Sequence, residues 1–290
     1  MKQDIKIPEG YKNSSLGVIP EEWEVKRLGE ICPVFKSGSS ITSKNISKDN
    51  LYPVYGGNGL RGYTNTYTHE GSYILIGRQG ALCGNINYVT GKCYISEHAI
   101  AVKSNKGNNI IFLKYKLSYW NLNRFSESSA QPGLSAKKLI RYKLALPTLP
   151  EQQKIADILS TWDKDIEKQT QLINLLEQRK HGLMQQLLTG KKRLKGFTDK
   201  WETVKFGEIM KKISNGLTYN VAIKGEFPVT RIETISKGII NYSKISYAEK
   251  IDNIERYRLI KGDILFSHIN SLTHIGKLLS IMGNFLYIMV

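Results

Sequence analysis

Apolar residues recur at alternating spacings of four and three along the stretch that follows Pro147-Thr148-Leu149-Pro150. The stripe runs Ile155, Leu159, Trp162, Ile166, Gln169, Ile173, Leu176, Lys180, Leu183 and Leu187, and eight of these ten positions are apolar. So narrow a stripe is the seam of a coiled coil rather than the broad face of a helix lying on a core. Pro150 suits the start of the helix and Gly190 its end. From Glu151 to Leu188, a rise of about 1.5 Å per residue gives a rod of roughly 57 Å. A small globule cannot bury a seam that long, so the pattern predicts a partner helix, with polar Gln169 and Lys180 fixing register or orientation. The alternative is a long helix packed on its own domain.

On either side of this helix the pattern changes to short runs. Upstream, SYILIG, INYV, CYIS and AIAV are β-branched or aromatic and bounded by Gly, Asn or Ser, which predicts strands. A helical stretch, NIIFLKYKLSYW, and a polar loop, SSAQPGLSAKK, follow. The flanks also resemble each other. At an offset of 178, EEWEVKRLGEICPVFKSG from Glu21 aligns with DKWETVKFGEIMKKISNG from Asp199. Trp23 meets Trp201, Glu24 meets Glu202, Gly29 meets Gly207, Glu30 meets Glu208, Ile31 meets Ile209 and Gly38 meets Gly216. Further on, Tyr52-Pro53-Val54 echoes Phe227-Pro228-Val229, and GSYILIG from Gly71 echoes GDILFS from Gly262. A period this long repeats a domain with its helix, not a solenoid unit. The expected architecture is α+β: a mixed α/β globule over residues 1–150, a long coiled-coil spacer over 151–189, and an incomplete second globule over 190–290.

Charge adds a partner to this picture. Lys and Arg number 42 against 25 Asp and Glu, a formal net charge of +17. A balance of this sign concentrates polyanions, so nucleic acid or an acidic membrane surface is the natural partner. The N-terminus lacks the apolar core of a secretory signal, and no run approaches the length needed to span a bilayer. Cys32, Cys83 and Cys93 lack CxxC spacing, which argues against a disulfide framework or a zinc site and points to a reducing cytoplasm.

Several motifs imitate catalysis. Gly57-Asn58-Gly59-Leu60-Arg61-Gly62 fits GxGxxG, but a dinucleotide site requires a helix after the turn, whereas YTNTYT predicts strand. The turn reads better as one that sets Asn58 and Arg61 at a surface. Glu21, Glu24 and Lys26 are too closely spaced for a nuclease carboxylate set, and a capping and strand role around Trp23 fits better. His69, His98, His181, His268 and His274 form no metal-ligand spacing. There is no P-loop and no Asn-Pro-Pro-aromatic methyltransferase signature, and nothing assembles a nucleophile, base and orienting group. What remains is polar and basic chemistry in loops: Ser39 and Ser40; Asn58, Arg61 and Tyr63; Arg78 and Gln79; Gln131, Lys137 and Lys138. Arg pairs with guanine and Asn or Gln with adenine through two hydrogen bonds in the major groove, while Lys137 and Lys138 suit phosphates. For any one of them the plain alternative is a solvated loop side chain.

GVIPEEWEVKRLGEI, QPGLSAKKL, LPTLPEQQKIADILS and LMQQLLTGKKRLKGF together resemble Type I restriction-modification specificity subunits. The resemblance covers nearly the whole chain. It implies two target recognition domains, each followed by a long helix, with the helices packed antiparallel as a ruler between two halves of a split DNA site. It also implies a non-catalytic subunit that binds double-stranded DNA and directs methyltransferase and motor-nuclease subunits. Those partners, not this chain, carry S-adenosylmethionine, ATP and magnesium. The chain departs from the family where a second long helix is expected: the tail LLSIMGNFLYIMV does not continue the repeat, which reads as a truncated, frame-shifted or silent copy. The helix is then expected to pair with that of a second copy, through Ile155, Leu159, Trp162, Ile166, Ile173, Leu176, Leu183 and Leu187. Two other classes stay open, a DNA nuclease or methyltransferase with unrecognised motifs and a scaffold that only assembles other proteins. Turnover on DNA would mark the first, and absence of salt-dependent DNA binding the second.

Overall fold

The computed structural model describes residues 7–80, 82–126, 133–216, 225, 227–235, 240–249, 254–267, 276, 278–282 and 288–289. The chain forms two compact units, Met1–Lys192 and Arg193–Val290.

The first unit opens with a hairpin, β1 (Tyr11–Ser14) and β2 (Gly17–Pro20), followed by β3 (Glu24–Arg27), the helical turn α1 (Leu28–Ile31) and β4 (Val34–Ser37). Then come β5 (Tyr52–Gly56), β6 (Gly59–Thr64), β7 (His69–Glu70), β8 (Tyr73–Gly77), β9 (Ile86–Val89), β10 (Lys92–Ile95) and β11 (Ala99–Lys103). Helix α2 (Ile110–Tyr119), the turn α3 (Ala136–Leu139), β12 (Lys143–Leu146) and α4 (Leu149–Leu187) complete it.

One four-stranded sheet has the order β4-β11-β8-β9 and another the order β6-β5-β10-β7. Every residue of β8 is buried, because the first sheet is covered on both faces. Successive side chains of a strand point to opposite faces, and the core divides accordingly. Ile74, Ile76, Ile100 and Val102 join Leu28, Ile31, Phe112, Leu113 and Leu117 on the helical side. Tyr73, Leu75, Ala99 and Ala101 join Val89, Cys93 and Ile95 on the other. The free thiols Cys32, Cys83 and Cys93 are all buried, and burial pushes Cys32 up to about 12.

α4 has 39 residues, about 58 Å at 1.5 Å per residue. Pro lies in its first turn, where its missing N–H has no intrahelical role. Only its first turns are tied to the globule. Gln152 and Ala156 are its buried residues, and Ile155 packs against the core. The Gln152 carboxamide accepts from the Asn109 amide at 2.9 Å and donates to Pro147 O at 3.0 Å and Asn108 Oδ1 at 3.2 Å. Trp23 Nε1 donates to Glu151 Oε2 at 3.2 Å. About three turns beyond Glu151, Tyr115 Oη and Lys114 Nζ both donate to Asp163 Oδ2, at 2.6 and 2.9 Å, and with Tyr115 the larger cause they hold that carboxyl below its usual range.

The second unit contains α5 (Phe206–Ile209), β13 (Phe227–Thr230), α6 (Ile232–Ile235), β14 (Ser246–Ala248), β15 (Ile264–Phe266), β16 (Leu278–Ser280) and β17 (Ile288–Met289). Its strands form β14-β13-β17 and β15-β16. The internal echo has a local counterpart. In α1 the Arg27 amide donates to Glu30 Oε2 at 2.9 Å, and in α5 the Lys205 amide donates to Glu208 Oε2 at 3.2 Å, the same capped turn at an offset of 178. The packing differs. Leu28 is fully buried, with backbone bonds from Leu28 and Gly29 to Tyr142 and Ile140, whereas Phe206 is 65% exposed.

Candidate nucleic-acid interface

Four loops of the first unit, far apart in sequence, meet at the tip of the β5–β6 hairpin. The Arg78 amide donates to His98 O at 2.9 Å, the Glu97 amide to Ser39 O at 3.1 Å and the Ser96 amide to Tyr55 O at 2.8 Å. The chains approach so closely that some positions admit only glycine. A Cβ on Gly57 would lie 2.8 Å from His98 O, and one on Gly38 2.2 Å from Ile95 O. Here the GxGxxG run turns between antiparallel strands, with Gly56 opposite Gly59; no helix follows to hold a pyrophosphate.

Ser39, Asn58, Arg61, Arg78 and Gln79 are thereby gathered. Ser39, Asn58, Arg61 and Gln79 are exposed, and Arg78 is half-buried with Nη1 3.5 Å from Glu97 O. Arg61 folds back over the hairpin, since a Cβ on Gly56 would meet its Cδ at 2.7 Å. The Leu134 amide donates to Arg78 O at 2.9 Å, and Gln79 bridges to Gly133. This brings α3 alongside, and a depression of 660 Å³ opens between Lys36, Ser37, Arg78, Gln79, Ser135 and Lys137. Lys137 faces that depression and Lys138 is exposed beside it on α3.

Other candidates stand apart. Tyr63 lies towards the far end of β6, where its backbone exchanges bonds with Ser47. Ser40 is exposed and its carbonyl accepts from Tyr94 Oη at 2.7 Å. Gln131, His268 and His274 lie outside the described residues. Glu97 and His98, absent from the sequence-derived set, belong to the cluster: His98 Nε2 is 3.4 Å from Glu97 Oε1. Nothing local in Ser-Glu-His marks them, because their position depends on bonds to Arg78, Tyr55 and Ser39, segments distant in sequence. Among the described residues, no group of three or more His, Cys, Asp or Glu is placed to hold a metal ion, and no helix is long and apolar enough to cross a membrane.

The second feature is the α4 stripe. Trp162 is 65% exposed, Ile166 62% and Ile173 55%, and Leu159, Leu176 and Leu183 are exposed as well. Towards the end of the helix, Leu176, Leu183, Leu187 and Leu188 line a shallow apolar groove beside Arg179 and Lys180.

An α+β globule with a polar, basic loop cluster and a long helix with an exposed apolar stripe define the class of protein: a mixed α/β domain extended by a long helix. The family model of the Type I restriction modification DNA specificity domain matches residues 20–178, and the chain belongs to that family. It is 42% identical over 159 residues to the Type I restriction enzyme EcoprrI specificity subunit of Escherichia coli, covering 53% of this chain and 39% of that protein. It is 24% identical over 284 residues to the Type I restriction enzyme MjaVIII specificity subunit of Methanocaldococcus jannaschii, covering 89% of this chain and 66% of that protein. The chain thus spans between two fifths and two thirds of the length of these relatives. The crystal structure of the S subunit of a Type I restriction-modification system from M. genitalium shares the fold, with a TM-score of 0.58 at 16% identity over 90% of this chain and 70% of that one.

Proposed function

We propose that the chain is a DNA-sequence-reading specificity subunit of a Type I restriction-modification system and performs no catalysis itself. The observation that carries this reading is the convergence of Ser39, Asn58, Arg61, Arg78 and Gln79 around the β5–β6 turn of a globule that continues into a 39-residue helix. Side chains of this kind read base edges, and the neighbouring lysines Lys36, Lys137 and Lys138 supply phosphate contacts. Tyr63, Ser40 and Gln131 stay in the candidate set as flanking contacts. Family membership and the net charge of +17 support the same partner, double-stranded DNA.

In this reading residues 1–150 are the first target recognition domain, 151–189 the spacer, and 190–290 part of a second recognition domain. Methyltransferase and motor-nuclease subunits are its protein partners, and they bind S-adenosylmethionine, ATP and magnesium. The cytoplasm is the compartment that places it beside DNA. The seam from Leu159 to Leu187 pairs with a helix of its own kind, here that of a second copy of the chain. Pairing fixes the separation of two readers, and linked readers gain affinity through effective concentration.

The test is binding of the purified chain to duplex DNA at rising salt, with turnover assayed in the presence of S-adenosylmethionine and magnesium. Neutralising about five phosphates gives a log–log slope near −4.5, about a 500-fold loss of affinity between 50 and 200 mM salt. A flat salt response, or DNA cleaved or methylated by the chain alone, would overturn the proposal.

A further inference from the structure

The loop between β8 and β9 carries Arg78 and Gln79 at its start, and further along it is clamped by a short helical turn, Leu122–Phe125. Asn123 Nδ2 donates to Cys83 O at 2.9 Å, and a Cβ on Gly84 would collide with the Asn123 amide nitrogen. This clamp sets Arg124 at the surface, with its guanidinium carbon 4.6 Å from the centre of the Phe125 ring. Phe125 packs on Tyr142, ring centres 4.3 Å apart, and Arg141 is exposed beside Tyr142. Arg141 in turn follows about one helical turn after Lys137 of α3. Exposed cations therefore succeed one another from the depression beside Arg78 to the Phe125–Tyr142 pair, in the order Lys36, Lys137, Arg141, Arg124. No carboxylate lines the depression, and among the described residues none of these four cations is in an ion pair. The sequence has the same bias: residues 101–150 hold nine Lys or Arg and one acid, Glu127.

We propose that Arg124 and Arg141 extend the phosphate contacts of Lys36 and Lys137 into a track for the backbone of one DNA strand, which positions the reader without selecting bases. The inference rests on the reading of the chain as a DNA-binding subunit. Cations gathered without counter-charges repel one another, and a polyanion laid across them relieves that repulsion and releases its own counterions. The aromatic ring beneath Arg124 restrains the guanidinium without consuming its N–H donors, which remain for phosphate oxygens. The clamp at Asn123 holds Arg124 to the same loop that carries Arg78, so the track and the reader cluster move as one piece. Backbone contacts of this kind fix register and carry no sequence information.

The experiment measures binding of the full chain to duplex DNA between 50 and 200 mM salt, on a sequence enriched from a randomised library and on an unrelated duplex, as wild type, as the double variant Arg124→Gln/Arg141→Gln and as Arg124→Lys/Arg141→Lys. Thermal unfolding of each variant is compared with wild type. Losing two phosphate contacts takes the log–log slope from about −4.5 to about −2.7, so the loss of affinity across that salt range falls from about 500-fold to about 40-fold. The glutamine variant weakens both duplexes by the same factor and enriches the wild-type motif, and the lysine variant restores the slope. An unchanged slope, which is the result for a solvated face or a dock for an acidic protein, overturns the inference. So does an altered motif, or weaker binding that lysine does not rescue. A wild-type chain with no salt-dependent binding to either duplex overturns the DNA-reading proposal itself, which separates the two failures.

Discussion

Gln152→Ala tests how the globule is joined to the helix. Gln152 is 2% exposed, and its carboxamide makes three hydrogen bonds, to the Asn109 amide, Pro147 O and Asn108 Oδ1. These bonds tie the start of α2 and the end of β12 to the first turn of α4. The variant removes all three and leaves the partners facing a small void. At about 1 kcal/mol net per hydrogen bond the loss is about 3 kcal/mol, rising further where a partner finds no water. For a unit of this size, 1 kcal/mol corresponds to roughly 2–4 °C, so the melting temperature of the first unit drops by roughly 6–12 °C. Circular dichroism during heating measures this, with Gln153→Ala as the control. Gln153 is exposed and accepts from Asn109 Nδ2 at its surface, so its loss costs under about 0.5 kcal/mol. A Gln152→Ala protein that melts within about 2 °C of wild type would refute the claim that this carboxamide locks the helix to the globule.

Two further outcomes follow from the same geometry. Ile173→Asp places a charge in the exposed stripe without touching the globule. If two copies pair through that stripe, the variant loses two buried isoleucines per dimer, about 3 kcal/mol or more, and sedimentation shows self-association weakened at least a hundredfold; unchanged association would rule out the helix as the contact. Acid destabilises the first unit through His69, whose imidazole is held below the ordinary histidine value first by burial and then by Lys36. The unfolded chain takes up the proton at higher pH than the folded one, so this contribution is fully present above a pH of about 6.5 and is lost as pH falls through the folded value. His69→Asn flattens that part of the stability profile in chemical denaturation, and an unaltered profile would remove His69 as its source.

The most legible parts of the sequence were those fixed by local periodicity. The spacing from Ile155 to Leu187 announced the helix, and Leu149–Leu187 lies within two residues of the expected bounds. The run SYILIG announced β8, and the Tyr-Thr-rich stretch after Gly62 argued against a dinucleotide turn, as the β5–β6 hairpin bears out. Pairings between distant segments were not legible. β10 lies parallel to β5, about forty residues upstream, and that crossover carries Ser96, Glu97 and His98 to the hairpin tip. Glu97 and His98, set by that crossover, carry no local mark in the sequence, while Tyr63, only two residues from Arg61, sits away from the cluster because a strand moves about 3.3 Å per residue. Gln152 has no local mark of its burial, which depends on Asn108, Asn109 and Pro147. The echo between the segments from Glu21 and Asp199 is legible as a repeat, yet sequence alone does not show that Phe206 and Ile209 are exposed where Leu28 and Ile31 are buried.

The most direct measurement is methylation profiling of genomic DNA from cells that carry the chain together with a Type I methyltransferase subunit and no other source of sequence specificity. The account predicts methylation confined to a two-part motif separated by a fixed gap, palindromic if two copies supply identical readers, and lost when Arg61 and Arg78 are both replaced by alanine. Methylation at a continuous motif, or at the same sites in the absence of the chain, would contradict it.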